Sequence, residues 1–172
     1  CMLAEGAGDL TKLAAFCDGR VYVQDAAAAL AARCAGAQPG MRVLDVCAAP
    51  GGKSFAMASR MENRGEVLSC DIHPHKIALL EKGAARLGID NLHARVQDAS
   101  ARCEEFVGQM DVVLADVPCS GLGVIRKKPD IRYKALAPIE RLPQVQRAIL
   151  ENVSAYVKPG GVLLYSTCTV LR

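Results

Sequence analysis

Five short apolar runs punctuate the chain: Met41–Val46, Gly65–Asp71, Asn91–Val96, Asp111–Asp116 and Gly161–Ser166. Between and around them, apolar positions recur at helical spacing over 25–36, 53–61, 74–87 and 143–157. Short apolar strands alternating with longer amphipathic helices predict an α/β fold built on a parallel sheet. Asp25 reads as the N-cap of the first helix, whose alanines are strong helix formers. Gly88, after Arg86 and Leu87, reads as a C-cap, and Pro159-Gly160-Gly161 as the turn into the fifth strand. The stretch from Ser120 to Pro143 breaks the alternation with Gly, Pro and many charges. Long connections of this kind in compact domains are functional or disordered.

Composition sharpens this picture. The chain has 172 residues, of which 51% are hydrophobic, enough for one domain with a buried core and too apolar for disorder. No apolar run approaches the roughly 20 residues that span a bilayer, and no basic-then-apolar leader opens the chain. Neither an internal repeat nor a second domain is visible. Cys1 in place of Met, and Arg172 directly after an apolar run, read as the ends of a fragment.

The net charge of +3 is small but unevenly placed. Residues 121–147 carry Arg126, Lys127, Lys128, Arg132, Lys134, Arg141 and Arg147 against Asp130 and Glu140, a local +5 that leaves −2 for the rest. Such a segment is either a solvated loop and helix face or a surface for nucleic-acid phosphates. Its place between the two cysteine motifs described below favours RNA.

Eight cysteines stand at 1, 17, 34, 47, 70, 103, 119 and 168, and no two form a C-x-x-C pair. That spacing speaks against structural zinc, and a disulfide framework belongs to small secreted domains. Most of these cysteines read as small buried apolar residues in a reducing cytoplasm. His73 and His75 flank Pro74 at a helix start and His93 lies in a short strand; their surroundings suggest structural roles and no metal.

Chemistry concentrates at strand ends. The first strand runs into Cys47-Ala48-Ala49-Pro50-Gly51-Gly52-Lys53-Ser54, small residues leading to a helix start, where α/β proteins bring backbone close to a ligand. The ending Gly52-Lys53-Ser54 imitates a phosphate-binding P-loop, but position 47 is Cys rather than Gly and Pro50 removes an N–H from the cradle. The dinucleotide pattern G-x-G-x-x-G also fails. Asp71 ends the second strand, where a carboxylate accepts hydrogen bonds from ribose hydroxyls. Asp98 follows the third strand, within reach of an adenine amino group, and Asp116 ends the fourth. Singly, each is an ordinary cap or loop residue. Together they favour an adenosine-bearing cofactor.

Asp116-Val117-Pro118-Cys119-Ser120-Gly121 and Ser166-Thr167-Cys168-Thr169 end the fourth and fifth strands, which puts two thiols and a carboxylate at one rim. With Asp45 to Ser54, Asp116 to Gly123, Arg126 to Ile131, Tyr165 to Val170 and the lead-in Val23-Gln24-Asp25, the chain resembles the RNA cytosine-C5 methyltransferases (the NOL1/NOP2/Sun family). The wording around Arg126–Ile131 and Arg141-Leu142-Pro143 is most like the bacterial small-subunit rRNA members of the RsmB (Sun/Fmu) type. The resemblance implies a Rossmann-like class I fold dependent on S-adenosylmethionine, acting on RNA, with 16S rRNA as the substrate. Residues 25–172 would be the catalytic core and 1–24 a lead-in. Cys47, Ala48, Ala49, Pro50, Gly51, Gly52 and Lys53 would wrap the methionine part of the cofactor, Asp71 the ribose and Asp98 the adenine. Asp116 would sit between cofactor and base. Cys168 would be the nucleophile, and Cys119 would assist product release.

C5 of cytosine is a poor nucleophile, and a thiolate adding to C6 turns the C5 edge into an enamine able to take a methyl group. Cysteine suits this because it is strongly nucleophilic and partly ionised near neutral pH, with a free pKa of roughly 8.5. DNA cytosine-C5 methyltransferases use a Pro-Cys nucleophile, which would select Cys119. The match of Ser-Thr-Cys-Thr and Ala-Ala-Pro-Gly-Gly-Lys to the RNA family favours Cys168. Family cores carry seven strands and this chain shows five, so it is expected to stop after the fifth. A fragment that binds cofactor or RNA without turnover is therefore the competing expectation. A small-molecule methyltransferase would need neither the cysteine pair nor the basic segment.

Overall fold

The computed structural model describes residues 8–133 and 137–170. Five strands, β1 (Arg42–Asp45), β2 (Glu66–Asp71), β3 (Leu92–Val96), β4 (Met110–Asp116) and β5 (Val157–Ser166), form one sheet in the order β3-β2-β1-β4-β5. Every neighbouring pair is parallel. Among the described residues, six α-helices accompany them: α1 (Ala14–Cys17), α2 (Ala26–Cys34), α3 (Gly52–Arg60), α4 (Pro74–Leu87), α5 (Ala137–Glu140) and α6 (Leu142–Ser154). This is the parallel α/β architecture expected from the pattern, in the Rossmann-like form that the family resemblance implies. From β1 the chain winds outward to β2 and β3, then returns to β4 and β5. The strand order therefore reverses between β1 and β4, where open α/β sheets bind ligands.

Alternation along the central strands explains why their runs are almost wholly apolar. Val43, Val67, Val112 and Leu114 pack with Phe55, Met57 and Met61 of the α3 region on one face. Leu44, Val113 and Ala115 pack with Ile149 and Val153 of α6 and with Phe106 on the other. A sheet buried on both faces has no polar side to show. The α3–α4 contact turns on Phe55, whose ring fills the space beside two glycines: a Cβ on Gly51 would lie 2.4 Å from Phe55 Cζ, and one on Gly83 2.3 Å from the same atom.

The caps form as the sequence predicts. Asp25 accepts from Ala27 N–H at 2.9 Å, and Gly88 adopts a left-handed conformation (φ 64°) after α4. Two boundaries differ. The Pro159-Gly160-Gly161 turn lies inside β5: Val157 pairs with Met110 and Val162 with Val112, so the glycines form an excursion, with Gly160 at φ 81°, after which the ladder resumes. Helix α6 ends three residues before position 157, because Tyr156 leaves the helix to become 2% exposed. Its hydroxyl accepts from Cys103 N–H at 2.9 Å and Asn152 Nδ2 at 3.0 Å.

The lead-in packs against α4. Arg86 donates to Phe16 O at 2.6 Å and Val21 O at 3.0 Å, with its guanidinium 3.9 Å over the Phe16 ring. Cys1, Lys134 and Arg172, singled out in the sequence, lie outside the described residues. Among the described residues, no helix is long and apolar enough to cross a membrane.

A candidate active site at the strand ends

The loop after β1 is pinned on both sides before it reaches α3. Val46 N–H donates to Leu114 O at 3.0 Å, extending the β1–β4 ladder, and Ala48 N–H donates to Cys70 O of β2 at 2.8 Å. The Ala49–Pro50 peptide is cis, and Gly51 caps α3 at φ 112°. Beside this loop opens a cleft of about 250 Å³ over the ends of β1 to β4. Cys47 and Ala49 line it, together with Asp71, Asp98 and Asp116. The remaining loop residues, Ala48, Pro50, Gly51, Gly52 and Lys53, are not part of its lining.

Each strand-end carboxylate has a distinct setting. Asp71, 6% exposed, accepts at Oδ1 from His73 N–H (3.0 Å) and faces Lys76 Nζ at 3.5 Å. Ile72, next in the chain, stands 53% exposed and lines the cleft. A carboxylate beside an exposed aliphatic surface fits a ribose and the planar base attached to it. Asp98 accepts at Oδ1 from Ser100 N–H (2.8 Å) and Oγ (2.7 Å), so it caps its own turn while lining the cleft. Asp116 is held from both sides: Lys53 Nζ lies 2.5 Å from Oδ2, and Ser166 Oγ donates to Oδ1 at 2.6 Å. Lys53 is thus tied to the carboxylate between the cleft and the thiols.

The two cysteines of the motifs meet. Cys119 Sγ and Cys168 Sγ are 2.8 Å apart, and Cys168 N–H donates to Cys119 Sγ at 3.2 Å. They stand outside the lining of the cleft, which reaches them through Asp116 and Pro118. Cys168 is exposed and Cys119 half-buried. Partial burial, then the contact with Cys119 and the charge of Asp116, push the Cys168 thiol up to about 11. Without substrate it is therefore protonated at neutral pH. Cys47 is pushed up to about 12, by burial first and then by the carboxylates of Asp45, Asp71 and Asp116. A thiol shifted this far is protonated, and so weakly nucleophilic, at neutral pH.

Asp45, Ser54 and Ser166 were not singled out as functional residues in the sequence. Asp45 is 1% exposed, accepts from Ser54 Oγ at 2.7 Å, and keeps Oδ1 without a hydrogen-bond partner. Burial raises its pKa to about 7. Hydroxyls spaced nine residues from a strand-end acid, or beside a motif cysteine, were the available signals. Among the described residues, no group of three or more His, Cys, Asp or Glu side chains is placed to hold a metal.

Residues 34–172 match the family described as 16S rRNA methyltransferase RsmB/F. The chain belongs to this family. It is 46% identical over 159 residues to the probable ribosomal RNA small subunit methyltransferase B of Bacillus subtilis, covering 91% of this chain and 36% of that protein. The Synechocystis protein of the same description is 38% identical over 165 residues, covering 95% and 37%. As an RsmB/F family member, the chain thus spans little more than a third of the curated relatives it matches. Its fold superposes on the NSun6 structure from Pyrococcus horikoshii solved with SFG (TM-score 0.83, 32% identity, 94% of this chain and 41% of that one). A methyltransferase homologue from the same organism gives a TM-score of 0.81 at 30% identity, over 94% and 50% of the two chains. A SAM-dependent O-methyltransferase of Thermotoga maritima, at 15% identity and TM-score 0.59, shares the RsmB/F fold alone.

Proposed function

We propose that this chain is the core, residues 25–172 with the lead-in 1–24, of an enzyme that methylates C5 of a cytosine in 16S rRNA in the cytoplasm. S-adenosylmethionine is the cofactor, and when bound it supplies an electrophilic methyl group. Cys47 to Lys53 and Asp71 would hold its methionine and ribose, with Asp98 facing the adenine and Asp116 between cofactor and base; of the loop residues, Cys47 and Ala49 line the cleft itself. The contact between the Cys119 and Cys168 sulfurs, beside Asp116 at the sheet's reversal point, carries this assignment. The family membership and the small-subunit rRNA names of the relatives support it.

The target base must leave its stack to reach the thiols. Cys168, as thiolate, forms a bond from Sγ to C6, and the displaced electron pair makes C5 nucleophilic. Asp116, fixed by Lys53 and Ser166 in the free site, accepts from the N4 amino group or, once protonated, donates to N3, where negative charge develops as the adduct forms. After C5 has been methylated, Cys119, as thiolate, takes the C5 proton and becomes a thiol, the electron pair of the broken C5–H bond re-forms the C5–C6 double bond, and Cys168 leaves as thiolate. Because the Cys168 thiol is held protonated in the free site, formation of the adduct accelerates as pH rises toward about 11.

Full-length protein and its rRNA substrate test the assignment through the two cysteine variants. Cys168→Ala is expected to abolish both methyl transfer and adduct formation. Cys119→Ala is expected to accumulate a covalent protein–RNA adduct that survives denaturing electrophoresis. A persistent adduct in Cys168→Ala overturns the choice of nucleophile.

A further inference from the structure

The β4–β5 ladder ends where Asp116 pairs with Ser166, yet the two segments remain joined beyond it. Val117 N–H donates to Ser166 O at 3.1 Å. Then the sulfurs of Cys119 and Cys168 meet at 2.8 Å, and one residue further Ser120 Oγ and Thr169 Oγ1 are 2.7 Å apart. Both pairs have the same separation of 49 residues, so they form two successive rungs made of side chains. Ser120 is 3% exposed, and its Oγ also accepts from Leu122 N–H at 3.3 Å. Gly123 N–H closes the arrangement on Cys168 O at 2.9 Å. A Cβ on Gly123 would lie 2.8 Å from that oxygen, so only glycine permits the closure.

We propose that the Ser120–Thr169 hydroxyl pair is a positioning clamp that keeps the sulfurs of Cys119 and Cys168 in register. It rests on the roles assigned to those cysteines above. Adding one sulfur to C6 and bringing another to the proton on the adjacent C5 requires both to stay within a few ångströms of one base. Strand-end loops do not hold such spacing unaided, and misplacement by about 1 Å costs on the order of 100-fold in rate. A hydroxyl pair with one member buried gives the spacing a directional bond in a dry setting. Neither hydroxyl touches the reacting atoms; both act through the residues that precede them.

The test uses full-length protein and reads the sulfur spacing directly by diamide cross-linking. Each thiol loses one hydrogen, the S–S bond forms, and the N=N bond of diamide takes up both hydrogens to become a hydrazine. The rate of Cys119–Cys168 linkage, located by mass spectrometry, is compared for wild type, Thr169→Val, Thr169→Ser and Ser120→Ala. Thr169→Val and Ser120→Ala are expected to link at least tenfold more slowly, with Thr169→Ser restoring the wild-type rate. In methyl transfer, kcat falls by a similar factor while KM for RNA and for S-adenosylmethionine stays within twofold. Linkage within twofold of wild type in Thr169→Val overturns the clamp, and Ser120→Ala decides the matter if Thr169→Val does not fold. If wild type shows no methyl transfer but linkage depends on the hydroxyls as stated, the clamp stands and the enzymatic assignment fails.

Discussion

Lys53 Nζ lies 2.5 Å from Asp116 Oδ2, tying the first turn of α3 to the end of β4 across the end of β1. Ser166 Oγ grips the other carboxylate oxygen at 2.6 Å from β5. One carboxylate therefore joins three segments: the loop proposed to hold cofactor, and the two strand ends that carry the thiols. Partial burial of the pair, with side-chain exposures of 19% for Lys53 and 31% for Asp116, screens it less than an exposed ion pair.

Removing either partner should loosen Asp116 without emptying the cleft. Lys53→Met is expected to lower the single-turnover methyl-transfer rate of the full-length enzyme by about 100-fold. Ser166→Ala, which removes one hydrogen bond to a charged group, is expected to lower it by about tenfold, in line with roughly 1.5–3 kcal/mol for such bonds. Cofactor affinity, measured by calorimetry, should stay within threefold for Ser166→Ala. An unchanged rate in both variants would remove Asp116 positioning from the mechanism.

Gly83 gives a stability prediction of unusual sign. In a helix interior, Gly→Ala ordinarily stabilises by roughly 0.5–1 kcal/mol. Here the added Cβ would meet Phe55 Cζ at 2.3 Å, and the ring is also held close to Gly51 and in an edge-on contact with Tyr22. Gly83→Ala is expected to destabilise by about 1–3 kcal/mol in urea unfolding. Combining it with Phe55→Leu should cost less than the sum of the two single changes.

Much of this is legible in the amino-acid sequence. The strands followed from apolar runs such as Val43–Val46 and Val112–Ala115, because a sheet covered on both faces forces continuous apolar sequence. The placement of Asp71, Asp116, Cys119 and Cys168 at or just past strand carboxyl ends was legible because each stands at or shortly after the end of an apolar run. Less legible were contacts set by packing across the chain. No local pattern says that Lys53 turns toward Asp116, 63 residues away, or that Ser120 meets Thr169, 49 residues away. Pro159-Gly160-Gly161 reads in the sequence as the turn into the fifth strand, whereas the pairing of Val157 with Met110 starts the strand before that turn and carries it through.

The basic segment is less uniform than its sequence suggests. Lys127 forms an ion pair with Asp25, the N-cap of α2, whereas Arg126, Lys128 and Arg132 appear in no salt bridge among the described residues. If the segment neutralises RNA phosphates, these three carry the salt dependence. Replacing Arg126, Lys128 and Arg132 with Gln is expected to reduce the slope of log affinity against log salt by up to about 3. Lys127→Gln alone should change it by less than about 0.5. Filter binding or fluorescence anisotropy between low and physiological salt measures both.

Asp45 predicts how stability should respond to pH. In the unfolded chain its pKa is close to 3.9, whereas in the folded protein burial, helped by the charge of Asp116, lifts it to about 7 against the Ser54 hydrogen bond, the charge of Lys53 and the Cys47 backbone. Between these values the folded state holds a proton that the unfolded state has released. Stability contributed by this group is therefore complete below about pH 4 and is lost as pH rises to about 7. A three-unit difference corresponds to about 4 kcal/mol at most. Asp45→Asn keeps an acceptor for Ser54 and cannot ionise, so its urea stability should be nearly flat over this range and exceed that of wild type at pH 8. If the two proteins instead lose stability in parallel from pH 5 to 8, Asp45 is ionised in the fold. Its unpartnered Oδ1 would then carry charge in the interior, where such a group costs several kcal/mol.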